Sequence, residues 1–422
     1  MTGLSASAGR CGTMPVHRRL LDTAPGYIAT RADIEDFTFQ ECRRRRAEPP
    51  RVVRVPVVVH VVWHDEAQNI SDDQVHSQIT VLNADFRKRN ADLTKVPQVW
   101  QSVVGDARVE FALATTDPNG APTSGITRTR TGTTAFDTDD AVKSAATGGV
   151  DAWPAGTYLN IWACQLGGGV LGYAQFPGGP AATDGVVVLH SSFGTTGTAA
   201  APFNGGRTTT HEVGHWLNLR HIWGDDGEGC GGDDFVADTP NQGGPNYGKP
   251  TWPTMSCQNG PDGDMFMNFM DYTDDDAMCC FTVGQAARMA ACLAGPRASL
   301  AAGDADPPVD QRPTGDAAPP AALFRRWVHV REEDTPGVRV YRRADLPLPP
   351  ARGRDGIEFH PDGTFVDLRP GPVDAPVGAT GRWSADGDGC RLELTYPNGR
   401  AAACLHIVTV DENVLCLRPL AG

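Results

Sequence analysis

His211-Glu212-Val213-Gly214-His215-Trp216-Leu217-Asn218-Leu219-Arg220-His221 (HEVGHWLNLRH) is the stretch that decides this chain. On a helix, residues four apart share a face, so His211 and His215 present imidazole nitrogens to one point. That is the spacing of a zinc site. Glu212, one residue along, is placed to reach a water on the ion without itself being a ligand. His221 is the candidate third ligand, but six residues past His215 it lies off that helical face. The chain must therefore turn sharply, and the position for the turn holds Asn218, a residue that tolerates a left-handed backbone. An amphipathic helix with two solvated histidines would leave the third without a purpose. A downstream carboxylate as third ligand is redundant once His221 fills the place.

Composition frames this motif. The 422 residues suggest two or three domains, and 40% apolar content with 48 Gly and 33 Pro suits a globular, loop-rich chain. The longest apolar run, around Val55 to Trp63, is interrupted by His60 and is far too short to cross a bilayer. No transmembrane helix is expected. A net charge of −14 argues against nucleic acid or an anionic membrane as partner and suits cation binding. Met1 to Arg10 (MTGLSASAGR) lacks the apolar core of a signal peptide. The eleven cysteines, several of them between Cys230 and Cys292, nevertheless suggest disulfides and an oxidising compartment. The expectation is a secreted protein, with a leader missing from this start or another export route.

Four segments follow from the pattern. Residues 1–48 are polar and charged and end in the run Arg43 to Arg46, a segment that the family resemblance described below implies to be a pro-segment. Residues 49–300 carry a buried strand (51–65), a helix from Ser71 to Asn90, and strands at Val109 to Thr115, Tyr158 to Cys164 and Gly185 to His190. Strands alternating with helices give an α/β (α+β) catalytic domain with a mixed sheet and an active-site helix. A Pro/Ala/Asp linker occupies 301–322. Residues 323–422 turn to short strands divided by Gly, Pro and Asp, which predicts a small all-β, barrel-like domain. His60, His64, His76 and His190 have no ligand spacing and read as structural.

The zinc helix, the HIWGDD that follows its second histidine, and MFMNFMDYTDDDAMCCFTVGQAARM (265–289) resemble the pappalysin family of metzincin metallopeptidases, in its cytophagalysin-like bacterial branch. The resemblance covers roughly residues 10 to 295. It implies a methionine turn at Met270 as an apolar floor under the zinc. It also implies a tyrosine at Tyr272 that approaches the metal and stabilises the tetrahedral intermediate, and an edge strand for peptide substrate in GVLGYAQFP (169–177). The mechanism expected is hydrolysis of a peptide bond by zinc-activated water, with Glu212 as general base and then proton donor to the leaving amine. Arg10-Cys11-Gly12-Thr13 resembles the family's pro-segment cysteine, so Cys11 is a candidate zinc ligand in a latent form, and Arg43 to Arg46 a candidate cleavage region. The alternative for Cys11 is an ordinary terminal thiol.

Two further expectations rest on the same resemblance. Relatives bind calcium in the loop matching GGDDFVADTP (231–240), where Asp234, Asp238 and the carbonyl of Thr239 offer hard oxygen donors; the alternative is an acidic, solvated loop. Relatives also carry cysteines where this chain reads Gly248-Lys249-Pro250 and Asp276-Ala277-Met278. That double loss looks like a deleted disulfide, and Cys230 with Cys257 is left as the candidate bridge. Cys279 and Cys280 fit no pattern, with Cys292 a candidate partner for one of them.

The C-terminal module vaguely resembles small lipocalin-like proteins and carries no catalytic constellation. The function expected is therefore a zinc endopeptidase, with a protein or peptide as substrate, made as a latent precursor. The alternative is a secreted ligand-binding protein in which the β module acts and the zinc fold is structural. The identity of any ligand of that module is open.

Overall fold

The computed structural model describes residues 10–44, 52–302 apart from 226 and 228, and 323–420 apart from 335–337, 347–353, 361–362, 371–375, 386–390, 397–402 and 411–412. Arg45 and Arg46, most of the linker, and Cys390 lie outside these residues. The chain divides into two units, Met1–Pro307 and Pro308–Gly422.

In the first unit α1 (Thr13–Thr23) and α2 (Tyr27–Arg44) precede the long strand β1 (Val53–Trp63). Then come α3 (Asp72–Asp85), the short α4 (Gln98–Gln101), β2 (Val109–Leu113), β3 (Ile126–Arg130), β4 (Leu159–Cys164), β5 (Gly172–Ala174) and β6 (Val186–Leu189). The active-site helix α5 (Arg207–Trp216), the two-residue strands β7 (Tyr247–Gly248) and β8 (Tyr272–Thr273), α6 (Val283–Ala294) and α7 (Ala298–Ala302) complete it. The sheet runs β2-β1-β4-β6-β5, with β3 also paired to β1. All pairings are parallel except β5 on β6, which is antiparallel and makes β5 an edge.

β1 is apolar on both faces because both faces are covered, as in parallel sheets generally. Val55, Val57, Val59 and Val61 pack against Ile70, Val75, Leu82, Val213 and Trp216. Val58 and Val62 face other clusters, the latter with Trp162 and Tyr173. Burial of each valine contributes roughly 1.5–3 kcal/mol. His60 is fully buried in the strand between Thr127 Oγ1 (2.8 Å) and Asn160 Oδ1 (3.1 Å), and burial lowers its pKa to about 4.

α3 begins as its sequence requires, Ser71 Oγ accepting from the Gln74 amide at 3.2 Å. It ends at Asp85, five residues short of the expected Asn90. Lys88 takes φ 50, and Asn90 turns away to donate to the Cys279 carbonyl at 2.8 Å. α3 also sets the entry to α5. Gln74 Nε2 donates to the carbonyls of His190 (3.0 Å) and Phe193 (2.8 Å), and Gln78 Nε2 to that of Gly206 (3.0 Å). Asp275 then accepts the amides of Gly205 and Arg207 at 2.7 and 3.1 Å, a carboxylate at the positive end of α5.

Cys230 and Cys257 are disulfide-bonded. Cys279, Cys280 and Cys292 are free thiols, so the pairing expected for Cys292 is corrected. The reason is packing: Cys292 projects from α6 into the core under the sheet, whereas Cys279 and Cys280 belong to a separate cluster with Ile222 and Met265. Where the resemblance implied a lost disulfide, Lys249 Nζ meets Asp276 Oδ2 at 2.6 Å instead.

The second unit is a closed antiparallel barrel of eight strands: β9 (Arg326–His329), β10 (Arg339–Arg343), β11 (Gly356–Phe359), β12 (Thr364–Pro370), β13 (Pro376–Ala385), β14 (Arg391–Thr395), β15 (Ala403–Val410) and β16 (Val414–Leu420). β11 to β16 form a meander, and β9 and β10 close it. Trp327, Phe359, Phe365, Leu392 and Leu415 fill the core.

In the first unit Arg297, after α6, ties Asp184 to the end of α5. It is 4% exposed, donates to both Asp184 oxygens (2.8 and 2.9 Å) and to the Trp216 carbonyl (2.8 Å), and lies 3.9 Å over the Trp216 ring. Arg297→Met leaves Asp184 without its cation and is expected to cost about 3 kcal/mol. Chemical denaturation read in the first unit checks it, and an unchanged midpoint would refute it.

Candidate metal centre and active site

α5 is buried along its whole length from Thr208 to Trp216, although its sequence is largely polar. Such a helix is stable only if its polar groups are matched. Thr209 donates to Gln78 Oε1 (2.8 Å) and Thr210 to Asp85 Oδ2 (2.7 Å). Gly214 faces the fully buried Met270: a Cβ there would lie 2.5 Å from its sulfur. Met270 is held in its turn by Asn268 Oδ1, which accepts its amide at 2.9 Å and bonds Gln285 of α6.

Past Trp216 the helix stops. Asn218 takes φ 74, its side-chain oxygen accepting from Arg31 at 2.7 Å, and the chain reverses to bring His221 back. The Nε2 atoms of His211, His215 and His221 then lie 3.0–3.2 Å from one another. Each ring is fixed from behind through Nδ1: His211 to the Phe269 carbonyl (2.7 Å), His215 to the Leu219 carbonyl (2.8 Å), His221 to Asp225 Oδ1 (2.5 Å). These acceptors require the Nδ1–H tautomer, which leaves every Nε2 lone pair directed inward. Burial lowers the pKa of His211 to about 3 and holds that of His215 well below its ordinary value, so both rings are neutral.

Residues 10–13 close the remaining side. They lie along the edge strand, the Leu171 amide donating to Arg10 O and the Gly12 amide to Gly172 O, both at 2.8 Å. Cys11 pairs with Gly172 in the parallel sense. Its Sγ and the three Nε2 atoms fall within 4.8 Å of one another. Arg10 donates to the Tyr272 carbonyl at 2.6 Å, and its guanidinium lies 4.6 Å over Phe203. A Cβ at Gly12 would lie 2.5 Å from Thr138. Thr13 Oγ1 does two things: it accepts the Ala174 amide and donates to Glu212 Oε2, each at 2.8 Å.

Glu212 is 1% exposed and also accepts from Cys11 Sγ at 3.5 Å. Burial pushes its pKa up to about 8 against the pull of those two donors. Burial, and next the Glu212 charge, push the Cys11 thiol well above its usual range. Neutral lone pairs crowded together beside a buried thiol and a carboxylate make a donor set without a positive charge. A cation would supply what is missing. The nitrogen separations also suit it, since ligands ~2.0–2.1 Å from a tetrahedral zinc stand roughly 3.3–3.4 Å apart.

Tyr272 packs its ring against His221 (4.9 Å, edge-on) and Trp223 (4.8 Å), and burial raises its phenol well above the usual range. Beside it a cavity of ≈30 Å³ remains, lined by Leu171, Phe203, Thr208 and Met278 among others. Asp234 and Asp238 point to different partners. Asp234 is buried and accepts from Thr239 Oγ1 (2.9 Å) and the Val236 amide (3.0 Å), whereas Asp238 caps α6 through Thr282 Oγ1 (2.7 Å) and the Gly284 amide (2.8 Å).

Sequence reasoning missed two residues. Asp225 sits four residues after His221, a spacing that could have announced it as the group behind that ring. Thr13 has no local signal, because its partners are 161 and 199 residues away.

The sequence profile of the M43 peptidases, described as pregnancy-associated plasma protein-A, matches residues 144–294. Extracellular metalloprotease 1 of Coccidioides posadasii is 34% identical over 249 residues, 56% of this chain and 75% of that protein. An extracellular metalloprotease of Pyricularia oryzae is 37% identical over 255 residues, 57% and 75% of the two chains. Among solved structures, a point mutant of Tannerella forsythia promirolysin has 47% identity and a TM-score of 0.65, covering 69% of this chain and 97% of that one. Mature Tannerella forsythia mirolysin in complex with a cleaved peptide has 52% identity and a TM-score of 0.59, covering 60% and 97%. With the histidine cluster inside the matched region and relatives aligned over 75% of their length, the chain belongs to the M43 peptidases, the pappalysin family, and is a metalloendopeptidase.

Proposed function

We propose that the chain is a secreted zinc endopeptidase of metzincin type, made as a latent precursor. The observation that carries the zinc reading is the convergence of three inward-facing Nε2 atoms with Glu212 beside them. The names of the extracellular fungal relatives support secretion, and among the described residues no helix is long and apolar enough to cross a membrane. The proposed segments are a pro-segment at 1–48, a catalytic domain at 49–300, a linker at 301–322 and a lipocalin-like module at 323–422.

His211, His215 and His221 would hold the metal through Nε2. Zinc, when bound, supplies a Lewis acid and lowers the pKa of water toward neutrality. Glu212 takes the proton of the attacking water and passes it to the nitrogen of the leaving amine. The Tyr272 phenol, kept protonated by its burial, donates to the carbonyl oxygen as that atom gains charge. Met270 supports the helix from below. An extended peptide would bond the edge-strand groups of Leu171, Gly172 and Ala174 that residues 10–13 now engage.

Latency follows from the same contacts. Cys11 would add its Sγ to the donor set that holds the metal, and Thr13 adds a second hold by occupying the carboxylate that would accept a proton. Calcium is the second ion of this reading. Asp234 supports it, a carboxylate that burial pushes up to about 7 and that a cation would keep ionised; Asp238 and the Thr239 carbonyl complete the proposed donors.

Three outcomes are expected. Glu212→Ala keeps its zinc and loses peptide cleavage by about 10²–10⁴-fold in a mixed-protein digest; equal cleavage by the zinc-loaded variant would end the peptidase mechanism. Thr13→Val raises the activity of the uncleaved precursor roughly tenfold, one charge-assisted hydrogen bond being lost, with mass spectrometry showing the chain intact. An intact precursor as silent as the parent would leave Thr13 without that role. Calcium-selective chelation with zinc retained lowers the thermal midpoint of the first unit, and an unchanged midpoint would remove the second ion.

A further inference from the structure

Besides its packing, α1 is held to the first unit by an arginine seated on a carboxylate. Val16 and Leu20 join Phe136, Val142, Trp162 and Tyr173 in one apolar cluster. Beside them Arg19 Nη2 donates to Asp140 Oδ2 and to the Thr138 carbonyl, the latter at 3.3 Å. The Arg19 side chain is 36% exposed and that of Asp140 only 6%. The guanidinium thus enters from solvent, whereas the carboxylate is part of the wall.

That carboxylate is fixed independently of Arg19. Asp140 takes φ 68 and opens the short turn Ala141–Lys143. The buried Lys143 Nζ lies 2.8 Å from Asp140 Oδ1 and donates to the Thr183 carbonyl at 2.7 Å. It also stands over the rings of Trp162 (5.5 Å) and Tyr173 (4.9 Å), and Tyr173 is the middle residue of the edge strand β5. Lys143 therefore holds Oδ1 against the strand, and Oδ2 is left for a cation from outside. Residues 137–143 carry three carboxylates and one lysine. Asp137 and Asp139 are exposed and accept amides of their own loop, Thr138 at 2.7 Å and Ala141 at 3.0 Å. The surplus of negative charge favours a second cation at Oδ2, whichever chain supplies it.

The seat adjoins the edge-strand groove. Thr138 Cγ2 is the atom that a Cβ at Gly12 would meet at 2.5 Å, and the Thr138 carbonyl is an atom that Arg19 reaches. Thr138 thus borders both the residue next to Cys11 and the place of the guanidinium. We infer that, once the pro-segment is removed, Asp140 Oδ2 and the Thr138 carbonyl form a substrate subsite for an arginine or lysine. That residue lies roughly two or three positions from the cleaved bond, at ~3.3 Å per extended residue, on the side where α1 now lies. Arg19 fills the subsite in the latent chain. Arginine suits it better than lysine, because a planar fork can meet carboxylate and carbonyl together. The inference rests on the proposed peptidase and its edge-strand groove.

The test uses zinc-loaded enzyme processed from the full chain, with the barrel retained. Cleavage of a proteome-derived peptide library should show arginine, then lysine, enriched at that position. A peptide cut in the library is then compared with its twin carrying citrulline, the uncharged isostere of arginine, at the same place. The arginine peptide should have a kcat/KM roughly tenfold higher, carried by KM, since the contact is remote from the reacting atoms. Asp140→Asn should make the twins equal. If that variant does not fold because Lys143 loses its counter-ion, Asp140→Asn combined with Lys143→Met removes both charges and gives the same readout. Equal cleavage of the twins by the wild type, or a difference that survives in the Asp140 variant, would overturn the subsite and leave the peptidase standing. No cleavage anywhere in the library would end both.

Discussion

Three imidazole lone pairs held 3.0–3.2 Å apart in a buried pocket repel one another, and everything around them serves to hold that arrangement. A ring left to itself would rotate its lone pair toward a donor. Each is prevented by an acceptor on its far nitrogen, and those acceptors come from separate segments: Phe269 in the methionine turn, Leu219 in the reversal after α5, and Asp225 beyond it. The centre is therefore only as rigid as the junction of α5 with these loops. Gly214 against Met270, the two glutamines of α3 and the Arg297–Asp184 pair are where that junction is fixed. None of them belongs to the histidine cluster, yet together they decide whether its Nε2 atoms converge.

The edge strand is the second constraint. An edge presents unpaired amides and carbonyls, which natural proteins either cover or use. Here Arg10 to Thr13 cover it, and the cover reaches the chemistry because Gly172 has no side chain. A Cβ at that position would lie 2.9 Å from Glu212 Cγ and 3.0 Å from the Val187 carbonyl. α5 and β5 therefore approach closely enough for one threonine to bond both. In the proposed latent form the same close approach lets a four-residue segment engage strand, carboxylate and histidine cluster together. A side chain at position 12 would not fit, since Gly12 already lies against Thr138 and Tyr173.

What could be read in advance was whatever is local in the chain. The i, i+4 histidines, the left-handed asparagine and the helix start at Ser71 are set by neighbours, and backbone geometry alone carries the reading. Both-face burial of β1 was equally visible, as an unbroken run of valines. What escaped is set by partners far away. The last turn expected of α3 is lost to a contact between Asn90 and the Cys279 carbonyl. Cys292 is kept from Cys279 and Cys280 by the core it faces, which no spacing records. Short alternating strands announced a β module, but not that β9 would insert between β10 and β11 to close it, nor that one end would stay hollow.

The pair Lys249–Asp276 raises the question of what holds the loop that carries the methionine turn. The pair is exposed on both sides, so salt and water screen it, and it cannot replace a covalent bridge. The burden falls on buried carboxylates instead. Asp271, fully buried between Met270 and Tyr272, accepts from Gln242 Nε2 (2.8 Å), the Asn246 amide (2.7 Å), Asn246 Nδ2 (3.0 Å) and the Tyr272 amide (2.7 Å). Asp264 gathers Ser256 and Asn259 at 2.6 Å each. These bonds run from the turn back to segments 242–246 and 256–259, the latter next to the Cys230–Cys257 bridge. A buried acceptor with several donors holds a loop in one geometry, because every bond fixes a direction as well as a distance. The turn beneath the histidines is thus positioned by hydrogen bonding, and the Cys230–Cys257 disulfide anchors the periphery of that network.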